Sequence, residues 1–239
     1  MKIVLTGYGR MGHMIEQVAQ EKGHEITGRV DVTNVPDLKT MPEADVVIDF
    51  SHPAMLEAVE EYVKRTGAAL VSGTTGYDES HMERLQRLSE FAPVVHSANY
   101  SMGIALFRHL LQQMPQALLE NFDIEILEKH HNKKVDAPSG TALALADAIN
   151  ETQDMKYAYS YDRSQERKPR EKQEIGISAV RGGTIVGEHE VLFAGEDEVI
   201  EFKHTAYSKA VFAKGALEAA KFLAGKPAGK YDMSDVISF

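Results

Sequence analysis

Short apolar runs alternate with amphipathic stretches through the first hundred residues of the chain. Apolar runs bounded by glycine, proline or aspartate predict buried parallel strands, and apolar residues at helical spacing predict the helices between them. The predicted strands are 2–6, 25–30, 44–50, 68–72 and 93–96, and the predicted helices are 13–20, 54–65 and 78–90. This alternation predicts a Rossmann-like, doubly wound α/β domain, which binds ligands at the carboxyl ends of its strands.

The pattern changes after residue 103. The expected elements are a helix at 104–119 that Pro115 kinks or ends, a strand at 122–128, a helix ending near Ile149, an exposed, mobile loop at 151–173, and strands at 174–180, 184–194 and 197–205. In the strand 122–128, Ile124 and Ile126 alternate with polar residues, which indicates a sheet with one covered face. We therefore predict a second, α+β domain with an open mixed sheet, largely antiparallel.

The last strands and the last helix carry further apolar residues. Those on the strands are Ile185, Val191, Phe193, Val199 and Ile200. They exceed what one small face hides, which indicates that the sheet associates with another copy. The helix, predicted at 208–223, has apolar residues at Val211, Phe212, Leu217, Ala220 and Phe222.

A glycine pattern joins the first strand to the first helix. Gly7, Gly9 and Gly12 form Gly-x-Gly-x-x-Gly in a strand–loop–helix context. The first glycine allows the tight turn, the second lets a pyrophosphate approach, and the third lets the helix pack on the strand. Asp31 ends the second strand, where a carboxylate can accept hydrogen bonds from adenine ribose hydroxyls. These features predict a dinucleotide site.

A second segment combines basic side chains with a helix start. His130 and His131 are followed by Lys134, and Ser139 is a favoured N-cap before an apolar helical run. The backbone amides of residues 140–142, at the helix N-terminus, can bind an anion. We infer that the segment binds a small carboxylate and delivers a proton beside it.

This segment closely resembles the signature of the dihydrodipicolinate reductases, now called 4-hydroxy-tetrahydrodipicolinate reductases, of the diaminopimelate route to lysine. The matching positions are His130, His131, Lys134, Asp136, Pro138, Ser139, Gly140, Thr141 and Ala142. The loops at the predicted strand ends of the first domain are similar as well. The resemblance implies hydride transfer from a reduced nicotinamide to a cyclic, unsaturated dicarboxylate, which gives tetrahydrodipicolinate.

The resemblance also implies residue roles. His130 is the general acid, in keeping with an unperturbed histidine pKa of about 6.5. Lys134 anchors a carboxylate, stabilises developing charge and has a possible part in proton donation. The implied substrate-binding residues are His131, Lys134, Ser139, Gly140 and Thr141. Asp136 either orients Lys134 or stabilises the loop. No metal is expected, because the histidine pair lacks carboxylate or thiolate partners at metal-site spacing.

The implied cofactor is NADH or NADPH. Its predicted contacts are Gly7, Tyr8, Gly9, Arg10, Met11, Gly12, Asp31, Phe50, Gly73, Thr74, Thr75, Ala98, Asn99, Tyr100 and Ser101. Asp31 disfavours a 2′-phosphate, and no basic residue stands among the three residues that follow it. Only Arg10, or Arg29 if it turns the same way, offsets that repulsion. We therefore predict a preference for NADH, with NADPH still usable.

The family pattern makes the first domain discontinuous. It comprises residues 1–101 and 209–239, and residues 102–208 form the substrate-binding and tetramerisation domain of a homotetramer. Hinges are expected near 101–104 and 206–209, about which the two domains close.

Composition narrows the function classes. A net charge of −10 argues against nucleic acid and anionic membranes as partners, and the chain has no cysteine. Without a leader or an apolar run of about 20 residues, a cytoplasmic location is expected. Two alternatives remain open, namely another Rossmann oxidoreductase, such as a semialdehyde dehydrogenase, and a nucleotide-binding regulatory module without chemistry.

Overall fold

The computed structural model describes residues 1–165 and 167–237. The chain divides into two compact units, Met1–Met102 with Lys209–Phe239, and Gly103–Ser208. Three residues covered by the sequence predictions lie outside the described residues: Glu166 of the predicted loop 151–173, and Ser238 and Phe239 at the end of the predicted first domain. Within the described ranges, no helix combines the length and the apolar character that crossing a membrane requires.

The elements follow one another in chain order. They are β1 (Lys2–Thr6), α1 (Arg10–Glu21), β2 (Glu25–Val30), β3 (Val46–Asp49), α2 (Leu56–Thr66), β4 (Ala69–Ser72), α3 (Glu79–Leu88), β5 (Pro93–His96), α4 (Met102–Gln112), α5 (Gln116–Asn121), β6 (Asp123–His130), α6 (Gly140–Asn150), β7 (Ala158–Tyr161), β8 (Glu174–Arg181), β9 (Gly187–Ala194), β10 (Val199–Ala206), α7 (Ala210–Leu223), β11 (Gly229–Tyr231) and α8 (Met233–Ile237). Short 3₁₀ turns at Val35–Lys39, Pro53–Met55, Glu151–Gln153 and Arg163–Gln165 complete them.

The first unit contains a six-stranded parallel sheet in the order β11-β5-β4-β3-β1-β2. On one face, Val47, Leu70 and Val94 pack with Tyr62 of α2 and Leu88 of α3. On the other face, α7 contacts β3, β4 and β5, and α1 packs beside it. Helices on both faces explain why the strands are apolar throughout. The order reverses between β1 and β3, where doubly wound sheets bind their ligands.

The second unit contains a five-stranded mixed sheet in the order β10-β9-β6-β8-β7. Its pairs β6–β8 and β8–β7 are parallel, whereas β6–β9 and β9–β10 are antiparallel. The two predicted sheets, one doubly wound and one mixed, are therefore confirmed. The expectation of a largely antiparallel sheet is wrong, because two of the four pairs are parallel. One arises where β6 inserts between β8 and β9, and the other where β7 adds to the edge beside β8.

Three local predictions have clear outcomes. Pro115 does interrupt the predicted helix 104–119, since α4 ends at Gln112 and Pro115 is the N-cap of α5. The predicted loop 151–173 is wrong in part, because Ala158–Tyr161 pairs with β8 as a fifth strand. Val191 and Phe193 were predicted to contact another copy of the chain, and this is wrong. Both are fully buried beneath α4 and α6 in the core of their own unit.

The buried face of α7 differs from the predicted one. Its buried residues are Ala213, Gly215, Ala216, Leu217, Ala219, Ala220 and Leu223, whereas Val211, Phe212 and Phe222 are only partly buried. Small side chains let this helix approach the sheet closely, and a Cβ atom at Gly215 would overlap the carbonyl oxygen of Tyr100. The prediction placed Leu217 and Ala220 correctly but missed the other buried positions, most of which are alanine or glycine.

Candidate active site

His130 ends the central strand of the mixed sheet. Along β6 the even-numbered residues are buried, so that Ile124, Ile126, Glu128 and His130 share one face. Successive side chains of a strand point to opposite faces, which places a carboxylate and an imidazole in line with the core isoleucines. Pairing of β6 with β8 and β9 on its two sides holds this end of the strand.

A buried ion pair holds the imidazole. Nδ1 of His130 lies 2.6 Å from Oε2 of Glu128, whose side chain is 0% exposed. Arg181, at the end of β8, donates from Nη1 and Nη2 to the two carboxylate oxygens, each at 2.7 Å. The backbone N–H of Ser139 donates to Oε1 at 3.0 Å. Four hydrogen bonds thus satisfy the carboxylate, as a buried charge requires.

The sequence predictions missed Glu128 and Arg181. The available signal was the alternation of β6, because a glutamate two residues before His130 falls at a position that the isoleucine pattern predicts to be buried. Buried carboxylates are rare without a partner. No local sequence pattern marks Arg181 as a site residue. It comes close to Glu128 only because β6 pairs with β8.

The environment of His130 changes its acidity. Burial has the largest effect and lowers the pKa of His130. Glu128 raises this pKa, whereas the charges of Lys134 and Arg181 lower it further. The pKa therefore lies below its ordinary value, and the ring is mainly neutral at neutral pH. Burial also raises the pKa of Glu128, but the hydrogen bonds from Arg181, His130 and Ser139 outweigh it and the pKa is lowered.

A third histidine, also missed, lies beside these groups. His189 of β9 is buried, and its ring meets that of His130 edge to face at a centroid distance of 5.1 Å. Its Nε2 is 3.2 Å from Oγ of Ser139. Burial, reinforced by the charges of His130, His204 and Lys134 against that of Glu128, lowers the pKa of His189 to about 3. His189 is therefore a neutral part of the structure.

The loop after β6 carries the predicted basic residues. Nζ of Lys134 forms an ion pair with Asp136 at 2.9 Å, and the backbone N–H of Lys134 donates to the carbonyl of His131. The hydrogen bond from Lys134 is the largest cause of the lowered pKa of Asp136. Nη2 of Arg181 also donates to the carbonyl of Asp136 at 2.6 Å. Asp136 thus does contact Lys134, and its backbone ties the loop to the ion pair.

The start of α6 has the predicted N-cap, Ser139, and two of its groups are already engaged within the protein. Oγ of Ser139 accepts a hydrogen bond from the N–H of Ala142 at 3.2 Å, so this amide is already used and buried. The Ser139 side chain is itself buried between that amide and His189, so it supports the helix start rather than facing solvent. Gly140 is exposed with open space where a Cβ would lie, and Thr141 is half-buried beside it.

The glycine loop of the first unit fits a dinucleotide. Gly7 has a φ of +82°, and a Cβ there would overlap Phe50. A Cβ at Gly12 would lie 2.6 Å from the carbonyl oxygen of Gly7, so helix α1 needs this glycine to approach the strand. Gly9 is the N-cap of α1 and offers no side-chain cap, while the space beside it is open. A pyrophosphate can therefore occupy the helix N-terminus.

Residues around the glycine loop form a charged cluster. Glu16 of α1 accepts hydrogen bonds from Tyr8 and from Arg29, and the guanidinium of Arg29 lies 5.9 Å from the centre of the Tyr8 ring. The side chain of Arg10 is exposed and makes no hydrogen bond or ion pair within the described residues. Met11 is half-buried in the first turn of α1. Of the two arginines considered for a 2′-phosphate, Arg29 is thus already neutralised.

Asp31 follows β2 and retains one oxygen for a ligand. Its Oδ1 accepts from the N–H and the hydroxyl of Thr33, at 2.7 and 2.6 Å. The hydroxyl bond is the largest cause of the lowered pKa of Asp31, which keeps the carboxylate ionised. Its Oδ2 makes no contact of this kind in the described part of the chain. A ribose hydroxyl can donate to that atom.

The next strand ends are organised by a buried carboxylate that the predictions missed. Asp49 accepts hydrogen bonds from Thr6 at 2.6 Å, from Ser51, and from Thr74 at 2.7 Å. The Thr74 side chain is consequently buried, whereas Thr75 is exposed. A Cβ at Gly73 would lie 2.5 Å from the ring of Phe50. Phe50, Gly73 and Thr75 therefore form the accessible part of this edge.

The last predicted cofactor loop, Ala98–Ser101, follows β5. The Tyr100 hydroxyl donates to the carbonyls of Ser72 and Val95 at 2.8 and 3.1 Å, and its side chain is buried. Oδ1 of Asn99 accepts from the buried Ser101 N–H at 2.8 Å, and Ala98 is exposed. The side chain of Tyr100 therefore supports the loop, and only its backbone remains for a ligand.

Comparison with known proteins gives one consistent result. Family models described as "Dihydrodipicolinate reductase, N-terminus" and "Dihydrodipicolinate reductase, C-terminus" match residues 1–100 and 103–237. A 4-hydroxy-tetrahydrodipicolinate reductase of Clostridium novyi (strain NT) is 47% identical over 247 residues, which cover 99% of this chain and 98% of that protein. The Staphylococcus carnosus enzyme of the same name is 46% identical, with 99% of both chains covered.

Solved structures agree in fold. A dihydrodipicolinate reductase from Paenisporosarcina sp. TG-14, with dipicolinate bound, aligns with a TM-score of 0.76 over 97% of both chains at 20% identity. An amine dehydrogenase from Mycobacterium smegmatis aligns with a TM-score of 0.64 over 98% of this chain and 95% of its own, at 11% identity. With both family models and full-length relatives in agreement, the chain belongs to the dihydrodipicolinate reductase family.

Proposed function

We propose that this protein reduces 4-hydroxy-tetrahydrodipicolinate to tetrahydrodipicolinate in lysine and diaminopimelate biosynthesis, with a nicotinamide dinucleotide as the reductant. The observation that carries the proposal is the arrangement of His130, Lys134 and the α6 start on one short segment held by a buried ion pair. Full-length relatives of the same name support it. The glycine loop and Asp31 supply the features that a dinucleotide needs.

His130 acts as the proton donor in this proposal. The bound reduced nicotinamide supplies a hydride to the ring of the substrate. The hydroxyl group of the substrate leaves as water, which gives the conjugated C=C–C=N system of dihydrodipicolinate. Hydride addition to this system leaves negative charge, which a proton must neutralise. Because the pKa of His130 is lowered in the free protein, it must gain its proton when the dicarboxylate binds. Two negative carboxylates beside the ring favour that gain.

Lys134 and the helix start bind the substrate carboxylates. Lys134 has to exchange Asp136 for a carboxylate of the substrate, and Asp136 keeps it oriented until then. His131, Gly140 and Thr141 remain the predicted contacts for the carboxylates. The role predicted for Ser139 shifts to support, because its hydroxyl already caps Ala142.

Cofactor choice favours NADH. Asp31 is ionised and repels a 2′-phosphate, and Glu16 engages Arg29. Arg10 alone keeps an unpaired positive charge at the glycine loop, within the part of the chain that is described. NADPH therefore remains usable through Arg10. The measurement is kcat/KM for each cofactor at low ionic strength, where electrostatic differences are largest.

We also propose a homotetramer assembled through the second sheet. The face opposite α6 carries the ion pairs of Glu188 with Lys129 and Lys203. Val180, which pairs with Lys129, is 47% exposed, and Val199, at the other end of β10, is 55% exposed. Exposed valines flanking paired charges are suited to a sheet-to-sheet contact. Val199→Glu is expected to yield smaller species in sedimentation, whereas Phe91→Glu, at an exposed apolar site of the first unit, leaves the assembly intact. A monomeric wild type would refute the tetramer.

The decisive experiment for the reaction mixes the full-length protein with NADH and enzymatically generated substrate. Loss of the absorbance of the reduced nicotinamide supports the reductase. Binding of NADH without turnover would instead favour a regulatory module, and turnover only with an amino-acid semialdehyde would favour another dehydrogenase. A cytoplasmic location and domain closure about 101–104 and 206–209 stay predictions.

A further inference from the structure

We propose that Glu128 is a positioning residue for the reaction, which fixes the tautomer and the orientation of the His130 ring. This inference rests on the proposed role of His130 as proton donor. Glu128 does not itself contact the substrate, since its side chain is fully buried and all its hydrogen bonds go to protein groups.

The hydrogen bonds leave one arrangement of protons. Glu128 accepts from Arg181 twice and from the Ser139 N–H, so an ionised carboxylate is required at this place. An ionised carboxylate only accepts hydrogen bonds, and therefore Nδ1 of His130 must carry a hydrogen. The neutral ring then has its lone pair on Nε2, and the proton that His130 gains and loses is the one on Nε2.

The surroundings of Nε2 agree with this assignment. Gly187, the first residue of β9, lies beside it, and a Cβ added there would be 3.1 Å from Nε2. The missing side chain thus leaves space next to the titrating atom. The serine-protease triad uses a buried carboxylate in the same way, to hold an imidazole by Nδ1 while Nε2 performs the proton transfer.

Charged or titratable groups face the ring from every neighbouring element. Glu128 lies on the same strand, Lys134 on the following loop, Arg181 on β8 and His189 on β9. Of these, Glu128 alone favours the protonated ring, and the cations and burial oppose it. Loss of the carboxylate should therefore lower the pKa of His130 further and also release the ring from the Nδ1–H tautomer.

A purely structural role for the ion pair is the competing explanation. Arg181 joins the carboxylate to the carbonyl of Asp136, so its loss could simply loosen the loop. A loosened loop would weaken substrate binding through Lys134, which raises KM. Loss of positioning instead lowers kcat and moves the tautomer and the pKa of His130. These readouts separate the two explanations.

The test uses nitrogen-15 histidine labelling of the full-length protein, with the His130 signal assigned from His130→Gln. In the wild type we expect the neutral ring to carry its hydrogen on Nδ1. In Glu128→Gln we expect a mixture of tautomers, a lower pKa, and a kcat reduced by about 10²-fold with KM changed by no more than about twofold. Glu128→Asp, which keeps the charge, should restore part of each property.

Two further variants make the result unambiguous. Glu125→Gln is the matched control, because it is a glutamate of the same strand that points to the opposite face, and it should leave the His130 signals unchanged. If Glu128→Gln fails to fold because Arg181 loses its partner, the double variant Glu128→Gln/Arg181→Gln removes the charges as a pair and should show the same tautomer mixture.

The proposal is overturned if the neutral wild-type ring carries its hydrogen on Nε2, or if both variants keep the wild-type tautomer and kcat. A higher KM at unchanged kcat would likewise overturn it in favour of the structural role. The spectroscopic readouts do not need turnover. An inactive wild type with an Nδ1–H ring would thus refute the reductase and leave the positioning of His130 by Glu128 standing.

Discussion

Replacement of His189 by glutamine should make the protein less sensitive to acid. The folded protein keeps this ring neutral, with its pKa lowered to about 3 from an ordinary 6.5, chiefly by burial. Between these values the unfolded chain binds a proton at this position and the folded chain does not. The contribution of His189 to the free energy of unfolding is therefore fully present above about pH 6.5, and it is lost as the pH falls towards 3.

The magnitude follows from linkage. Each pH unit within that window changes the free energy of unfolding by about 1.4 kcal/mol through this one group. Acidification from about pH 6.5, where the unfolded histidine is half protonated, to about pH 4.5 should thus cost the wild type about 2.3 kcal/mol that His189→Gln does not lose. The variant keeps a hydrogen-bonding group for Ser139 and is expected to lose about 1–2 kcal/mol at neutral pH through poorer packing.

The assay is urea unfolding followed by circular dichroism at both pH values and one protein concentration. Only the difference between the proteins is interpreted, because every other titrating group is common to them. His52→Gln is the control, because that ring is exposed and glutamine can still accept the hydrogen bond that the Ala54 N–H donates to it. Equal acid losses in the wild type and His189→Gln would refute the buried, neutral histidine.

Other expected outcomes concern turnover and cofactor. His130→Ala and Lys134→Ala should each lower kcat by about 10²–10⁴-fold without unfolding, and wild-type turnover in both at saturating substrate would refute their roles. Gly187→Ala places a Cβ 3.1 Å from Nε2 of His130 and should lower kcat while thermal stability is nearly kept; an unchanged kcat would mean that this space is not used. Arg10→Ala should reduce kcat/KM for NADPH more than for NADH, because Asp31 then repels the 2′-phosphate unopposed, and equal losses would contradict this.

The strands and the glycine loop were predictable because their signals are local. Apolar runs such as Val46–Ile48 and the spacing of Gly7, Gly9 and Gly12 lie within a few residues, and the structure has the corresponding elements. The helix start at Ser139 was equally local, since a serine before an apolar run supplies its own cap. Side-chain periodicity and capping act over one turn or one strand, so a single sequence contains them.

The features that the sequence did not predict depend on contacts between residues that are distant in the chain. The partner of Glu128 is Arg181, which only the pairing of β6 with β8 brings near, and no local pattern announces that parallel pair. Strand β7 is short and lies in a polar stretch, so that its pairing with β8, rather than a local pattern, distinguishes it from a loop. The Tyr100 hydroxyl donates to carbonyls on two strands, at Ser72 and Val95, so no local pattern indicated that this side chain is buried, and its contact with the cofactor stays a prediction.

The discontinuous first unit has a consequence for synthesis on the ribosome. The unit Gly103–Ser208 is contiguous, so it is complete as soon as residue 208 has emerged. In contrast, most strands of the parallel sheet are translated before this point, but two of its elements follow later. These are α7, which covers β3, β4 and β5, and β11, which pairs with β5. Until α7 and β11 have been translated, β5 is an open edge with an uncovered apolar face, which is a hazard for aggregation. A nascent chain stalled before α7 is thus the state in which this protein most needs a chaperone.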